Sequence, residues 1–138
     1  MEKMTISDLS KPNNSKELAE FCSVIAQDRL AKDVLLMDMT EIETAITDFF
    51  VVATAESEPQ AEAVVNKIYE KCRDFGIDKP KTEGYEYKDW IILDFFDVVF
   101  HIMLPKVRKF YNIEKLWADA AFTSLNDTRP PAKIADIE

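Results

Sequence analysis

The chain has 138 residues, 47% of them hydrophobic, which fits one compact domain with a core of its own. Lys and Arg number 17 against 26 Asp and Glu, a formal net charge of −9, so the basic footprint of a general nucleic-acid binder is missing and no direct nucleic-acid contact is expected. Two glycines exclude a glycine-built phosphate cradle, and one histidine with two cysteines excludes a His-rich or four-cysteine metal site; the composition favours a soluble acidic domain without metal, cofactor or enzymatic activity.

Residues 1–13 lack periodicity and read as a flexible lead-in. Asn14 or Ser15 caps a first helix with Glu17 in capping-box position, and Leu18, Phe21, Cys22, Ile25, Ala26 and Leu30 form its apolar face. Segments 34–39 and 49–54 read as strands joined by a polar loop. Ser57 caps a second helix, Gln60 completes its capping box, Pro59 stands in the first turn, and Gly76 stops it. A short extended piece covers 81–85. Segments 90–95 and 98–104 are strands joined as a hairpin at Phe96-Asp97. Pro105 ends the sheet, and a last helical region covers 106–121. The folded domain is thus 14–121, and 122–138, with Pro130-Pro131, reads as a mobile tail.

This order of elements predicts an α/β fold with a mixed five-stranded sheet flanked by helices. The step through the second helix predicts a right-handed crossover and a parallel pair of strands on either side of it. No segment approaches the roughly 20 apolar residues of a membrane span, and residues 1–14 lack the apolar stretch of a signal peptide. A cytoplasmic location and reduced thiols are expected, with Cys22 and Cys72 packed in the core.

Charge is unevenly distributed. Between Lys32 and Lys67 there is no Lys or Arg, while Asp33, Asp38, Glu41, Glu43, Asp48, Glu56, Glu58 and Glu62 all fall there. Asp38 and Asp48 at one pair of strand ends, and Asp94 and Asp97 at another, could hold magnesium for nucleotidyl transfer. No phosphate-binding turn or neighbouring cation accompanies them, so turn-capping acids are the better reading. His101 lies inside an apolar strand with no acid and nucleophile spaced to form a catalytic set, and reads as a packed histidine. Trp90 alternates with Ile92 and suits either a core position or a binding anchor. Phe95 and Phe96 cannot both be buried, because neighbours in a strand face opposite ways.

The run Thr47-Asp48-Phe49-Phe50-Val51-Val52-Ala53-Thr54 resembles the "TDYFVIATG" strand of the ribosomal silencing factors, the RsfS or Iojap family. Glu83-Gly84, Asp89-Trp90, Asp94-Phe95 and Asp97-Val98-Val99-Phe100-His101 follow in the family's order and spacing. Arg108, Tyr111, Glu114, Leu116, Trp117 and Asp119 complete its "RxxYxLExLWxD" ending, so that the resemblance covers about residues 16–120. Two departures stand out. The family's "GTSSRQ" turn reads Ala55-Glu56-Ser57-Glu58-Pro59-Gln60, and its glycine before Asp97 is Phe96. If that position needs a positive φ, a bulky residue is disfavoured and a remodelled hairpin is expected.

The resemblance implies a nucleotidyltransferase-like fold without catalytic residues, and a homodimer in solution. It implies binding to the large ribosomal subunit through ribosomal protein uL-fourteen, which blocks subunit joining and represses translation when nutrients are scarce. Carried onto this sequence, the contact residues are Trp90, Phe95 and Tyr111, while Trp117 is assigned to packing. Glu83, Asp94 and Asp97 are added as acids suited to meet Lys or Arg on a basic partner. Two other readings stand beside this one: a nucleotidyltransferase using Asp38 and Asp48 with a metal, and a general adaptor for a basic protein.

Overall fold

The computed structural model describes residues 4–117, 121–124 and 132–133. Helix α1 (Ser15–Asp28) starts at Asn14, whose side chain accepts the Glu17 N–H at 2.8 Å. The Glu17 carboxylate reaches back one residue further than a capping box requires, accepting the Asn13 N–H at 3.0 Å. Leu30, expected on the helix face, lies outside it. The Leu30 N–H returns to Gln27 O and the Ala31 N–H to Ala26 O, so Leu30 takes the left-handed position of the helix end at φ +66 and is 76% exposed. Helix α2 (Glu58–Phe75) follows its signals closely. Ser57 accepts the Gln60 N–H at 3.2 Å, Gln60 accepts the Glu56 N–H at 2.7 Å, and Gly76 ends the helix at φ +69. The Gln60 amide also donates to the carbonyls of Arg29 and Leu30, fastening the start of α2 to the end of α1.

The strands are β1 (Lys32–Asp38), β2 (Phe49–Thr54), β3 (Lys81–Glu83), β4 (Trp90–Asp94), β5 (Val98–Met103), β6 (Ala121–Ser124) and β7 (Ala132–Lys133). They form one sheet in the order β3-β4-β5-β2-β1-β6-β7. The expected mixed sheet with flanking helices is present: β2 and β5 run parallel, and the other neighbours are antiparallel. The parallel partner of β2 is β5, not β3, the strand that follows α2. Strand β3 has three residues and occupies the sheet edge on β4, whereas all six residues of β2 pair with β5.

Two further differences lie at the C-terminal end. The last helical region is broken at Asn112, whose φ of +45 separates α3 (Pro105–Tyr111) from α4 (Ile113–Leu116). Ala121, assigned to that helix, opens β6 alongside β1. Of segment 122–138, residues 122–124 and 132–133 stand in strands, and the rest of the expected mobile tail lies outside the described residues, as do residues 1–3 of the lead-in.

Alternation along each strand divides the side chains between two faces. On one face, Val51, Ile91, Leu93, Phe100 and Ile102 pack under Phe21 and Ile25 of α1 and Val64 and Ile68 of α2. Cys22 and Cys72 lie in this layer as free thiols; burial pushes Cys72 up to about 11 and, with Cys72 nearby, pushes Cys22 well up too. On the other face a smaller cluster gathers Met37, Met39, Val52, Met103 and Ile113, with Trp90, Val107 and Trp117 against it.

Candidate functional site

Among the described residues the second face is the less covered of the two. Strand register lays out its rows: Asp94, Val99, Phe50 and Met37; then Glu83, Ile92, His101, Val52 and Leu35; then Trp90, Met103 and Thr54. Helices α3 and α4 cover one end through Val107 and Ile113, with Trp117 beside them. Ile92, Val99, Phe50 and Leu35 remain only half-buried among the described residues.

At the α3 end of this face, aromatic rings form a continuous line. Trp117 meets Phe50 edge-on at 6.0 Å, and Phe50 meets His101 at 5.0 Å. Trp90 lies 6.0 Å from His101 and 4.8 Å from Tyr111, and Phe110 lies 5.0 Å from Tyr111. The line runs from a buried ring to open ones: His101 is 6% exposed, Tyr111 53% and Phe110 79%. The Trp90 indole N–H donates to His101 Nδ1 at 3.1 Å. Burial pushes the His101 pKa down to about 4, so the ring is neutral at physiological pH. With Nδ1 accepting, the ring proton stands on Nε2, a buried atom with no hydrogen-bond partner among the described residues.

One backbone feature and one side chain place this cluster. Gly84 has φ +79, and a Cβ there would lie 2.0 Å from the Trp90 carbonyl oxygen, so only glycine lets β3 close against the start of β4. Arg108 holds α3 to the sheet, donating to the Asp33 carbonyl at 2.7 Å and Thr54 Oγ1 at 2.9 Å and pairing with Glu114 at 3.4 Å. Tyr111 is the last residue of that helix.

The residues singled out in the sequence are therefore only partly united. Trp90 and Tyr111 meet, and Glu83 stands on the same face, one row along on the exposed edge strand. Phe95 does not join them: alternation turns it to the opposite face, where it packs against the α1–α2 core. Asp94 and Asp97 are exposed at the far end of the hairpin, where Asp94 caps the turn by accepting the Phe96 N–H at 2.7 Å and the Asp97 carbonyl accepts the Asp48 and Phe49 N–H groups. Trp117 packs as expected.

Phe96 takes a left-handed geometry at φ +77 despite its bulk, so the tip of the hairpin is strained. Its ring is 78% exposed. Asp38 accepts hydrogen bonds from Thr40, and among the described residues no group of three or more His, Cys, Asp or Glu could hold a metal ion. Sequence reasoning passed over His101 as a partner of Trp90, and Phe110. The hairpin itself held the signal for the first: pairing about a two-residue tip sets His101 opposite Ile92, one step diagonally from Trp90.

Comparison with known proteins identifies the family and not the face. The profile described as "Ribosomal silencing factor during starvation" matches residues 12–137. A Bacillus subtilis protein named "Ribosomal silencing factor RsfS" is 32% identical over 113 residues, 82% of this chain and 95% of the relative. The mouse protein "Mitochondrial assembly of ribosomal large subunit protein 1" is 35% identical over 97 residues, 67% of this chain and 41% of its own. Among solved structures, one from Chromobacterium violaceum superposes with a TM-score of 0.70 at 35% identity, covering 75% of this chain and 86% of its own.

Proposed function

The chain belongs to the ribosomal silencing factor family, and from that premise we propose that it binds the large ribosomal subunit through protein uL-fourteen, keeps the small subunit from joining, and so represses translation under nutrient limitation. The protein acts by occupying a surface and not by catalysis, in the compartment that holds its ribosomes, the cytoplasm. A homodimer in solution that gives way to a monomer on the ribosome belongs to the same reading.

The observation that carries it is the aromatic pair Trp90 and Tyr111, presented beside the half-buried Ile92 and Val99, with the acid Glu83 nearby on the same face. Tryptophan and tyrosine are enriched among interface anchors, and the chain's net charge of −9 suits a basic ribosomal protein better than ribosomal RNA.

Co-sedimentation with purified large subunits on sucrose gradients tests this directly. Tyr111→Ala is the cleaner variant, because Tyr111 is half-exposed and sits at a helix end. It is expected to bind about thirtyfold more weakly, the effect of losing an anchor of about 2 kcal/mol, with the melting temperature nearly intact. Wild-type protein added to separated subunits should lower the joined fraction while leaving preformed ribosomes unaffected. Normal binding by a folded Trp90→Ala, Tyr111→Ala double variant would remove this face from the interface.

A further inference from the structure

A histidine is an expensive choice for position 101. It is buried, its burial opposes protonation, and Nε2 carries a proton with no acceptor among the described residues. A leucine or phenylalanine between Phe50 and Trp90 would fill the space without an orphaned polar group. In return the His101 ring accepts a hydrogen bond from the Trp90 indole N–H at 3.1 Å. Trp90 has need of it, for its ring is half-buried at the boundary of the cluster, with Tyr111 at 4.8 Å on one side and His101 at 6.0 Å on the other. An indole at such a boundary has several rotamers open to it unless its N–H is tied down.

We propose that His101 is a positioning residue: its Nδ1 holds the Trp90 indole in a single orientation beside Tyr111, so that the aromatic pair is already in its docking geometry before the partner arrives. His101 is 6% exposed, covered by its neighbours, so it acts through Trp90. Fixing an anchor in advance removes the ordering entropy that the complex would otherwise have to overcome. The inference rests on the proposed docking face and adds to it the device that pre-forms that face.

The test uses His101→Leu, which removes the acceptor together with the orphaned proton, and His101→Asn, whose Oδ1 occupies nearly the place of Nδ1. The first readout needs no ribosome. In a Trp117→Phe background Trp90 is the sole remaining tryptophan, and acrylamide quenching of its fluorescence should rise severalfold in His101→Leu and return toward the parent value in His101→Asn.

The second readout is affinity for purified large subunits. It should fall roughly fivefold in His101→Leu, the worth of one ordinary hydrogen bond, and recover in His101→Asn. In a Trp90→Phe background, which lacks the donor, His101→Leu should change affinity no further. A purely structural histidine would show the reverse pattern, with melting temperature and binding falling together and asparagine giving no rescue. A folded His101→Leu with unchanged quenching and unchanged affinity overturns the proposal. If Trp90→Ala also binds normally, the docking face itself is at fault. If Trp90→Ala loses binding while His101→Leu keeps it, only the positioning role falls.

Discussion

At the scale of single residues, two side chains hold conformations or surroundings that cost stability, and both can be measured. His101 is the chain's one histidine, and its pKa falls from 6.5 to about 4 on folding because burial disfavours the charged ring. Between those two values the unfolded chain binds a proton that the folded chain refuses. The neutral-ring contribution is therefore complete above pH 6.5 and is lost as pH falls toward 4. Going from pH 7.5 to 5, urea midpoints should report about 2 kcal/mol more loss of stability for the wild type than for His101→Asn, which does not titrate. Phe96 is the second case. At φ +77 its backbone is strained, and at 78% exposure its ring recovers little from burial. Phe96→Gly is expected to raise stability by about 1 kcal/mol, read as a higher melting temperature. A lower one would mean that the exposed ring contributes packing worth more than the strain.

At the scale of elements, α3 shows how much one buried cation can organise. Its seven residues are too few to be stable alone, and it has no side-chain cap at its start. What fixes it is Arg108, 13% exposed, bridging the start of β1, the end of β2 and Glu114 of α4. Arg108→Met should leave the Glu114 carboxylate, 18% exposed, without its cation and cost about 2–3 kcal/mol in chemical denaturation. Arg108→Lys should rescue little, since a single ammonium cannot reach three differently placed acceptors as a guanidinium does. Because α3 ends at Tyr111, both variants should bind large subunits more weakly even at temperatures where they remain folded.

At the scale of the whole molecule, the acidic stretch from Asp33 to Glu62 does not form one patch. Asp38 pairs across from Phe49, and Lys32 from Thr54, so Asp33 and Glu56 lie at one end of the β1–β2 pair while Glu41, Glu43 and Asp48 lie at the other. The first end is partly neutralised, by Lys32 against Glu56 at 2.9 Å and Lys88 against Glu62 at 3.9 Å. The second end adds Asp94 and Asp97 from the hairpin; neither 38–48 nor 94–97 contains a Lys or Arg, though Lys81 stands opposite Asp94. Steering toward a basic partner should come mainly from this second end. The association rate with large subunits should fall as ionic strength rises through 0.15 M, where screening acts over about 8 Å. Charge-removing changes at Glu41, Glu43 and Asp48 should slow association more than the same changes at Glu56 and Glu58. A rate indifferent to salt would count against electrostatic steering.

What the sequence determined by itself is what short-range chemistry decides. Asn14, Ser57, Gln60 and Gly76 set the limits of the two long helices because caps act within a turn of the residue that makes them. The apolar segments around Phe96-Asp97 specified a hairpin for the same local reason, and an ordered set of motifs sufficed for the family. What only the tertiary structure decided depends on which strand lies beside which. The parallel partner of β2, the strand at Ala121–Ser124 and the break at Asn112 all follow from packing and pairing between residues far apart in the chain. The site divides in the same way. Alternation marks Trp90 and Phe95 as lying on opposite faces, but only the assembled sheet shows which face the two long helices cover. That covering packs the half-buried Phe95 against the α1–α2 core, while Trp90, its indole N–H accepted by His101 and its ring beside Tyr111, is half-buried on the other face.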